Sequence, residues 1–124
     1  MSFNKDIVKD TLQQISDAIC QIEEWNEGIH SSEDYGCSAE GMKTLAATCM
    51  LLEAIGEGIK KIDKVTSGSF LRIICPDIPW KDIMGMRDHI AHGYFGNDED
   101  FVFCVVREDL NELQEAVKLL IMQL

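Results

Sequence analysis

The sequence is short of basic residues. Lysine and arginine together number 11 against 22 aspartates and glutamates, so the formal net charge is −11 at pH 7. Non-specific binding to nucleic acid depends on many contacts between Lys or Arg and phosphate groups. The shortage therefore excludes a protein that coats nucleic acid over its whole surface, but it leaves room for one local basic site.

Proline and glycine are also scarce, with 2 and 9 residues among 124. A β-sandwich needs many turns, and turns are rich in these two residues. The scarcity favours long helices joined by short connections. With 46% hydrophobic residues, the chain has the length and the apolar content of one globular domain over residues 1–124.

No long hydrophobic run is present. The longest, from Leu45 to Leu52, is interrupted by Thr48 and falls far short of the roughly 20 residues that span a bilayer. Residues 1–6 lack the charged segment followed by an apolar run that marks a signal peptide. We therefore expect a cytoplasmic protein without membrane contact.

Paired cysteine motifs are absent as well. The five cysteines are far apart and include no Cys-x-x-Cys pair, which excludes a zinc ribbon or a thioredoxin-type motif. Free thiols in a reducing compartment are the expectation. Cys20 and Cys49 are interpreted as small core residues.

Apolar residues recur at intervals of three and four, which is typical of amphipathic helices. The first helix is expected over about residues 3–28, where Gly28 and a polar run end the pattern. The second is expected from the N-cap residue Ser38 to about Asp63.

Gly56 and Gly58 lie inside the predicted second helix. Each costs about 1 kcal/mol relative to alanine in a helix interior. Their presence predicts that another backbone approaches the helix closely at this point.

The region after the second helix is broken. Residues 70–74 form a short apolar piece, and two prolines exclude a continuous helix beyond it. A third long helix is expected from Trp80 to Gly93 or Gly96.

The acidic cluster at residues 97–100 suits the N-terminus of the last helix. Its apolar series has three- and four-residue spacing: Val102, Val106, Leu110, Leu113, Val117, Leu120 and Leu124. The predicted fold is therefore all-α: an up-and-down four-helix bundle with an extra short helix between helices 2 and 3.

The positive charge is concentrated in one part of the chain. From Lys60 to Tyr94 there are six bases and four acids, whereas the rest of the chain carries a net charge of −13. Such a segment can hold an anion, or it can be a solvated surface of mixed charge. Charge alone leaves both interpretations open.

Four side chains suited to phosphate chemistry crowd one short segment: Arg87, Asp88, His92 and Tyr94. On a helix, Asp88 lies one turn before His92, so its carboxylate can orient the imidazole. Arginine can stabilise charge on a pentacoordinate phosphorus, and histidine is suited to acid–base work near neutral pH. Tyrosine adds a hydroxyl and a stacking surface. This set is sufficient for RNA cleavage by attack of the ribose 2′-OH without a metal.

Simpler interpretations exist for the same residues. Arg87 can form a surface ion pair with Asp82 or Asp88, and a histidine on a helix is often a surface or capping residue. His89 and His92, three residues apart, form a weak candidate metal pair, because no further ligand set is visible. The residues alone therefore leave catalysis and a plain surface both open.

The spacing Arg87, four residues, His92, one residue, Tyr94 resembles the signature of HEPN-domain ribonucleases. Its final tyrosine resembles the HepT-like toxin branch of that superfamily. Residues 78–80, Ile-Pro-Trp, and 85–87, Gly-Met-Arg, are similar to the segment just upstream of the signature in that branch.

The resemblance extends beyond the signature. Residues 55–57, Ile-Gly-Glu, are similar to a stretch of the second helix in that branch, and the four-helix pattern covers residues 1–124. The resemblance implies a single HepT-like domain with a four-helix bundle of HEPN type. It further implies a metal-independent endoribonuclease toxin of a type VII-like pair with a nucleotidyltransferase antitoxin, acting without a cofactor.

Roles for individual residues follow from the resemblance. It implies a homodimer in which the motifs of both subunits face one cleft, with Arg87 stabilising the phosphate and His92 as the acid/base. Tyr94 matches the tyrosine that the partner antitoxin, a minimal nucleotidyltransferase, modifies with AMP. Asp88 departs from the branch, where asparagine is frequent. An extra carboxylate at this place either weakens RNA binding or holds His92 protonated.

Two other functions remain open at this level. The chain can be a non-catalytic HEPN module that binds nucleotide, RNA or a partner, or a structural helical dimer without a nucleic-acid role. Neither charge nor composition separates the first of these from the ribonuclease.

Overall fold

The computed structural model describes residues 3–93 and 99–124, and for residues 91–93 it describes the helical backbone alone. Every regular element in these ranges is helical, without a strand, which confirms the all-α prediction. The α-helices are α1 Lys5–Trp25, α2 Ala39–Val65, α3 Phe70–Ile74, α4 Trp80–Met84, α5 Met86–Gly93, α6 Glu99–Cys104 and α7 Leu110–Met122. A 3₁₀ turn spans Ser32–Tyr35, and a π-helical turn, Val105–Asp109, joins α6 to α7.

The core lies where α1 packs against both α2 and α7. The buried side chains of α1 recur at helical spacing: Val8, Leu12, Ile15, Ile19 and Ile22. The helix begins where the Asn4 side chain accepts hydrogen bonds from the next turn, so its start is fixed by a polar cap. The short α3, between α2 and α4, confirms the predicted extra helix.

Helix α2 begins where the sequence predicts. Ser38 Oγ accepts a hydrogen bond of 2.9 Å from the Gly41 backbone N–H, which confirms Ser38 as the N-cap. Gly41 itself lies against the backbone of the 3₁₀ turn, where an added Cβ would clash with the Asp34 carbonyl oxygen. A side chain has no room there.

Gly56 marks a close approach between helices. A Cβ at this position would lie 2.7 Å from the carbonyl oxygen of Ile83 and 3.2 Å from Cβ of Met86. The predicted close backbone approach is confirmed at Gly56. At Gly58 it is wrong, because the nearest atoms belong to the side chain of Ile15, at 3.1 Å.

The third helix is not continuous. One long helix was expected from Trp80, but α4 ends at Gly85, whose N–H bonds back to the Lys81 carbonyl oxygen at 3.1 Å. Glycine is a poor helix former, so the helix is interrupted at this residue between α4 and α5. Ile83 and Met86, on either side of Gly85, lie against Gly56 of α2, so this contact positions the start of α5.

The last helix departs from the regular spacing as well. Val105, not the predicted Val106, is buried, and the next buried residue is Leu110, five positions on. An α-helix brings residues three or four apart onto one face. The π-helical turn takes up the fifth residue, so both Val105 and Leu110 face the core.

A buried polar network joins α1, the 3₁₀ turn and α2, and it was absent from the sequence-based expectation. Tyr35 is fully buried, and its hydroxyl donates to Asn26 Oδ1 at 2.6 Å. Asn26 Nδ2 in turn donates to Thr48 Oγ1 at 2.9 Å and to the Ile22 carbonyl oxygen at 2.8 Å. Burial raises the pKa of Tyr35 to about 12, so the phenol stays neutral and keeps its hydrogen bond.

None of the five cysteines forms a disulfide bond, as expected. Cys49 is buried, which confirms it as a core residue, but Cys20 is exposed and that prediction was wrong. Cys20 directly follows the buried Ile19, and one residue turns the helix by about 100° away from the core. Within the described residues, no helix combines the length and apolar character that a membrane crossing requires.

Candidate active site around helix α5

Arg87 stands near the start of α5 with a largely exposed side chain. Its Nη1 lies 3.8 Å from Oε1 of Glu57 on α2, and the two side chains are 69% and 49% exposed. This is a loose ion pair in water, worth at most about 1 kcal/mol. The guanidinium is therefore held near one place but is open to an incoming anion.

Glycine packing explains why Arg87 meets α2 at this point. Gly56 lets the junction of α4 and α5 contact α2, and Glu57 is the next residue along α2. The Ile-Gly-Glu stretch singled out in the sequence thus supplies one residue for helix contact and one for the ion pair. Sequence reasoning paired Arg87 with Asp82 or Asp88, whereas the ion pair found in the structure is with Glu57.

The structure describes the other predicted site residues, Asp88, His92 and Tyr94, to different extents. Asp88 is exposed in the first turn of α5, and its backbone N–H bonds to the Gly85 carbonyl oxygen at 3.0 Å. His92 belongs to the same helix, so Arg87, Asp88 and His92 share α5, but its side chain lies outside the described part of the structure. Tyr94 lies outside the described residues altogether.

His89, which the sequence linked only to a weak candidate metal pair, stacks on Phe101 of α6. The two ring centroids are 5.3 Å apart, with 23° between the planes. The contact joins α5 to α6. No short sequence motif predicts this pair, because His89 and Phe101 come together only in the folded chain.

A cavity of about 340 Å³ opens beside the same helix. Met86 and His89 of α5 contribute to its wall, together with Ile83 of α4 and residues of α2, α6 and α7. Ile78 and Pro79, the first two residues of the Ile-Pro-Trp segment, line it as well. The third residue, Trp80, is buried, and its Nε1 donates to the Cys75 carbonyl oxygen at 2.8 Å, which fixes the start of α4.

Two exposed basic residues follow Glu57 on α2. Lys60 and Lys61 follow Glu57 by three and four residues, so they lie on the neighbouring turn, and both are exposed. Arg72, further along the chain, is already engaged by Asp63 at 2.7 Å. These two exposed lysines of α2 belong to the basic segment found in the sequence.

Metal-ligating side chains do not converge in the described part of the chain. No group of three or more His, Cys, Asp and Glu residues there has the arrangement to hold a metal ion. Because the His92 side chain lies outside the described part, the structure leaves the candidate pair of His89 and His92 untested.

Comparison with known proteins gives one consistent family. The model of the HepT-like ribonuclease family matches residues 15–120. A protein of Thermococcus cleftensis named "Probable ribonuclease HepT" is 39% identical over 106 residues, which cover 86% of this chain and 88% of the relative.

Two proteins of Methanocaldococcus jannaschii are also similar. One named as an RNase is 35% identical over 63% of each chain. The other, named as a gamma-glutamylcyclotransferase joined to an RNase, is 30% identical over 89% of this chain and 46% of its own length. No solved structure matches the chain. The family match spans most of the sequence and includes α5 and its surroundings, and the chain therefore belongs to the HepT-like ribonuclease family.

Proposed function

We propose that the protein is a metal-independent endoribonuclease that acts as the toxin of a toxin–antitoxin pair and folds as a four-helix bundle of HEPN type. The observation that carries the proposal is Arg87, an exposed and loosely paired guanidinium on the helix that also contains His92. The ribonuclease names of the relatives support the reaction class.

The reaction needs two proton transfers and one charge to be stabilised. The ribose 2′-oxygen attacks phosphorus and loses its proton, while the bond from phosphorus to the 5′-oxygen breaks and that oxygen gains a proton. The products are a 2′,3′-cyclic phosphate and a 5′-hydroxyl. Histidine near its pKa suits both transfers, and Arg87 stabilises the extra negative charge on the pentacoordinate phosphorus.

The direct test is cleavage of labelled RNA by the purified protein with and without EDTA. We expect the same rate in both, because the proton transfers and the charge stabilisation use side chains alone. The alternative, a non-catalytic HEPN module, gives RNA or nucleotide binding without any strand scission.

Two copies of the chain would supply one histidine as base and another as acid at the same phosphate. An exposed stripe on α2 supports such a homodimer: Met42, Ala46, Met50 and Ala54 recur every four residues and lead toward Glu57. Met42 and Met50 are 61% and 70% exposed. Small residues between them let a second helix approach closely.

We therefore expect sedimentation at micromolar concentration to give a homodimer. Met50→Glu places a charge in the stripe and should yield the monomer. Met122→Glu, at a residue that is 79% exposed elsewhere, is the matched control and should remain dimeric. A wild-type monomer, or equal behaviour of both variants, contradicts this interface.

Loosening the Arg87–Glu57 ion pair should strengthen RNA binding. Glu57 competes with phosphate for the guanidinium, so Glu57→Gln is expected to lower the Kd for RNA by about two- to fivefold, the range of a surface ion pair. Glu53→Gln, one turn earlier on α2, removes the same charge outside this pair. Fluorescence anisotropy with labelled RNA compares them, and an equal gain in both variants shows a general charge effect instead.

A partner antitoxin, a minimal nucleotidyltransferase, is proposed to silence the protein by adding AMP to Tyr94. The modification places a charge of about −1 and a bulky base where RNA phosphate must bind, so it repels and blocks the substrate. Mass spectrometry after co-expression should find AMP adducts on the wild type and none on Tyr94→Phe. Adducts on both proteins, or on neither, exclude this mechanism.

A further inference from the structure

The cavity beside α5 is a second feature of the candidate site that the proposed reaction does not use. Its volume of about 340 Å³ falls in the range of small-ligand sites, roughly 300–1,000 Å³. The lining is mostly apolar and comes from α2, α4, α5 and the last helices, with Ile55, Ile83, Met86 and Val105 among its residues. These surfaces suit a flat, weakly polar group.

Three carboxylates complete the cavity, and they come from different elements. Asp82 belongs to α4, Asp109 to the π-helical turn and Glu112 to α7, and all three are exposed. The stacked rings of His89 and Phe101 stand at the same cavity. π-helical turns are frequent at functional sites, and this one contributes both Val105 and Asp109 to the lining.

The charges determine which part of a ligand enters. Carboxylates repel phosphate but accept hydrogen bonds from N–H groups. Arg87, in contrast, attracts phosphate, and it lies between Met86 and His89 on the same helix, both of which line the cavity. An α-helix with its side chains is only about 10–12 Å across, so one nucleotide can reach from Arg87 to the cavity.

We infer that this cavity binds an unpaired base of the RNA next to the scissile phosphate and selects bases with an exocyclic amino group. The inference rests on the proposed ribonuclease function. Cytosine, adenine and guanine offer amino donors to a carboxylate, as acidic side chains accept from the cytosine amino group in nucleic-acid complexes. Uracil offers only one N–H, and the two carbonyl oxygens that flank it are repelled by the carboxylates.

Binding of mononucleotides to the wild-type protein tests the inference without requiring cleavage. Isothermal titration calorimetry with CMP, AMP, GMP and UMP should show UMP as the weakest ligand by about tenfold, within the range of one good base contact. Asp82→Asn, Asp109→Asn and Glu112→Gln are the test variants. At least one should lose the preference, whereas Glu115→Gln in α7, whose carboxylate does not line the cavity, should keep it.

The outcomes separate this inference from the proposed function. Cleavage of RNA without base preference, together with equal or no binding of the four nucleotides, overturns the base pocket while the ribonuclease stands. Selective nucleotide binding without any RNA cleavage supports the pocket and overturns the ribonuclease. If the test variants change the oligomeric state and no nucleotide binds, the cavity belongs to a protein interface and the inference is wrong.

Discussion

RNA cleavage is expected to fall by about 10²–10⁴-fold when His92 is replaced by alanine, the usual loss for a general acid–base group. Growth inhibition by the expressed protein should disappear with it. Arg87→Ala should have a comparable effect, because the developing charge on phosphorus loses its guanidinium. The fold should survive the loss of Arg87, since its side chain is 69% exposed and makes only a weak ion pair.

A second arginine in the basic segment provides the control. Arg72 is exposed but is bound to Asp63 at 2.7 Å, and it belongs to α3 rather than α5. Arg72→Ala should therefore keep nearly full activity. Arg87→Lys distinguishes charge from shape, because lysine keeps the charge but loses the bidentate geometry. Wild-type cleavage rates in His92→Ala and Arg87→Ala, measured on labelled RNA, refute the catalytic assignment.

Gly56→Ala is expected to destabilise the protein by about 1–3 kcal/mol, as overpacking of a tight contact does. The new Cβ would lie 2.7 Å from the Ile83 carbonyl oxygen, so the junction of α4 and α5 has to move away from α2. Because α5 carries Arg87 and His92, cleavage activity should fall together with the free energy of unfolding. Urea denaturation followed by circular dichroism measures the stability, and the RNA assay measures the activity.

Gly58→Ala, two residues further along α2, is the matched control. Both substitutions gain about 1 kcal/mol of helix propensity. At Gly58 the nearest atoms are Cδ1 and Cγ1 of the buried Ile15 side chain, at 3.1 and 3.2 Å, so this side chain has to shift by only a few tenths of an ångström. We expect this variant to be as stable as the wild type or slightly more stable. Equal destabilisation by the two substitutions shows that the backbone contact at Gly56 is not the cause.

Much of the fold could be predicted from the spacing of residues in the sequence. Helical periodicity predicted α1, α2 and the last helix, Ser38 was identified as a cap, and Gly56 was identified as a contact point. These features depend on residues close together in the chain. Gly85 was missed as a break because an isolated glycine is tolerated inside a helical pattern.

Features that depend on contacts between distant segments could not be predicted from the sequence. In the sequence, Tyr35 belongs to a polar segment that predicts a loop. In the structure it is a core residue, because it is buried against α2 and its hydroxyl bonds to Asn26. Similarly, Phe101 joins the candidate site through packing rather than through a motif. The Ile-Gly-Glu stretch contains Glu57, but it did not predict the ion pair of Glu57 with Arg87. For the site itself, the roles assigned to Arg87, His92 and Tyr94 remain predictions. The side chain of His92 and all of Tyr94 lie outside the described residues.

The π-helical turn has a consequence for how the protein tolerates changes in length. Val105 and Leu110 are five residues apart, one more than an ordinary α-helix needs to keep both on the core face. Deleting one residue between them would leave a regular helix with the same buried face. The deletion would, however, remove the wider turn that places Asp109 at the cavity. The π-helical turn thus contains one residue more than the core requires, and its deletion would change the shape of the cavity while the buried face stays the same.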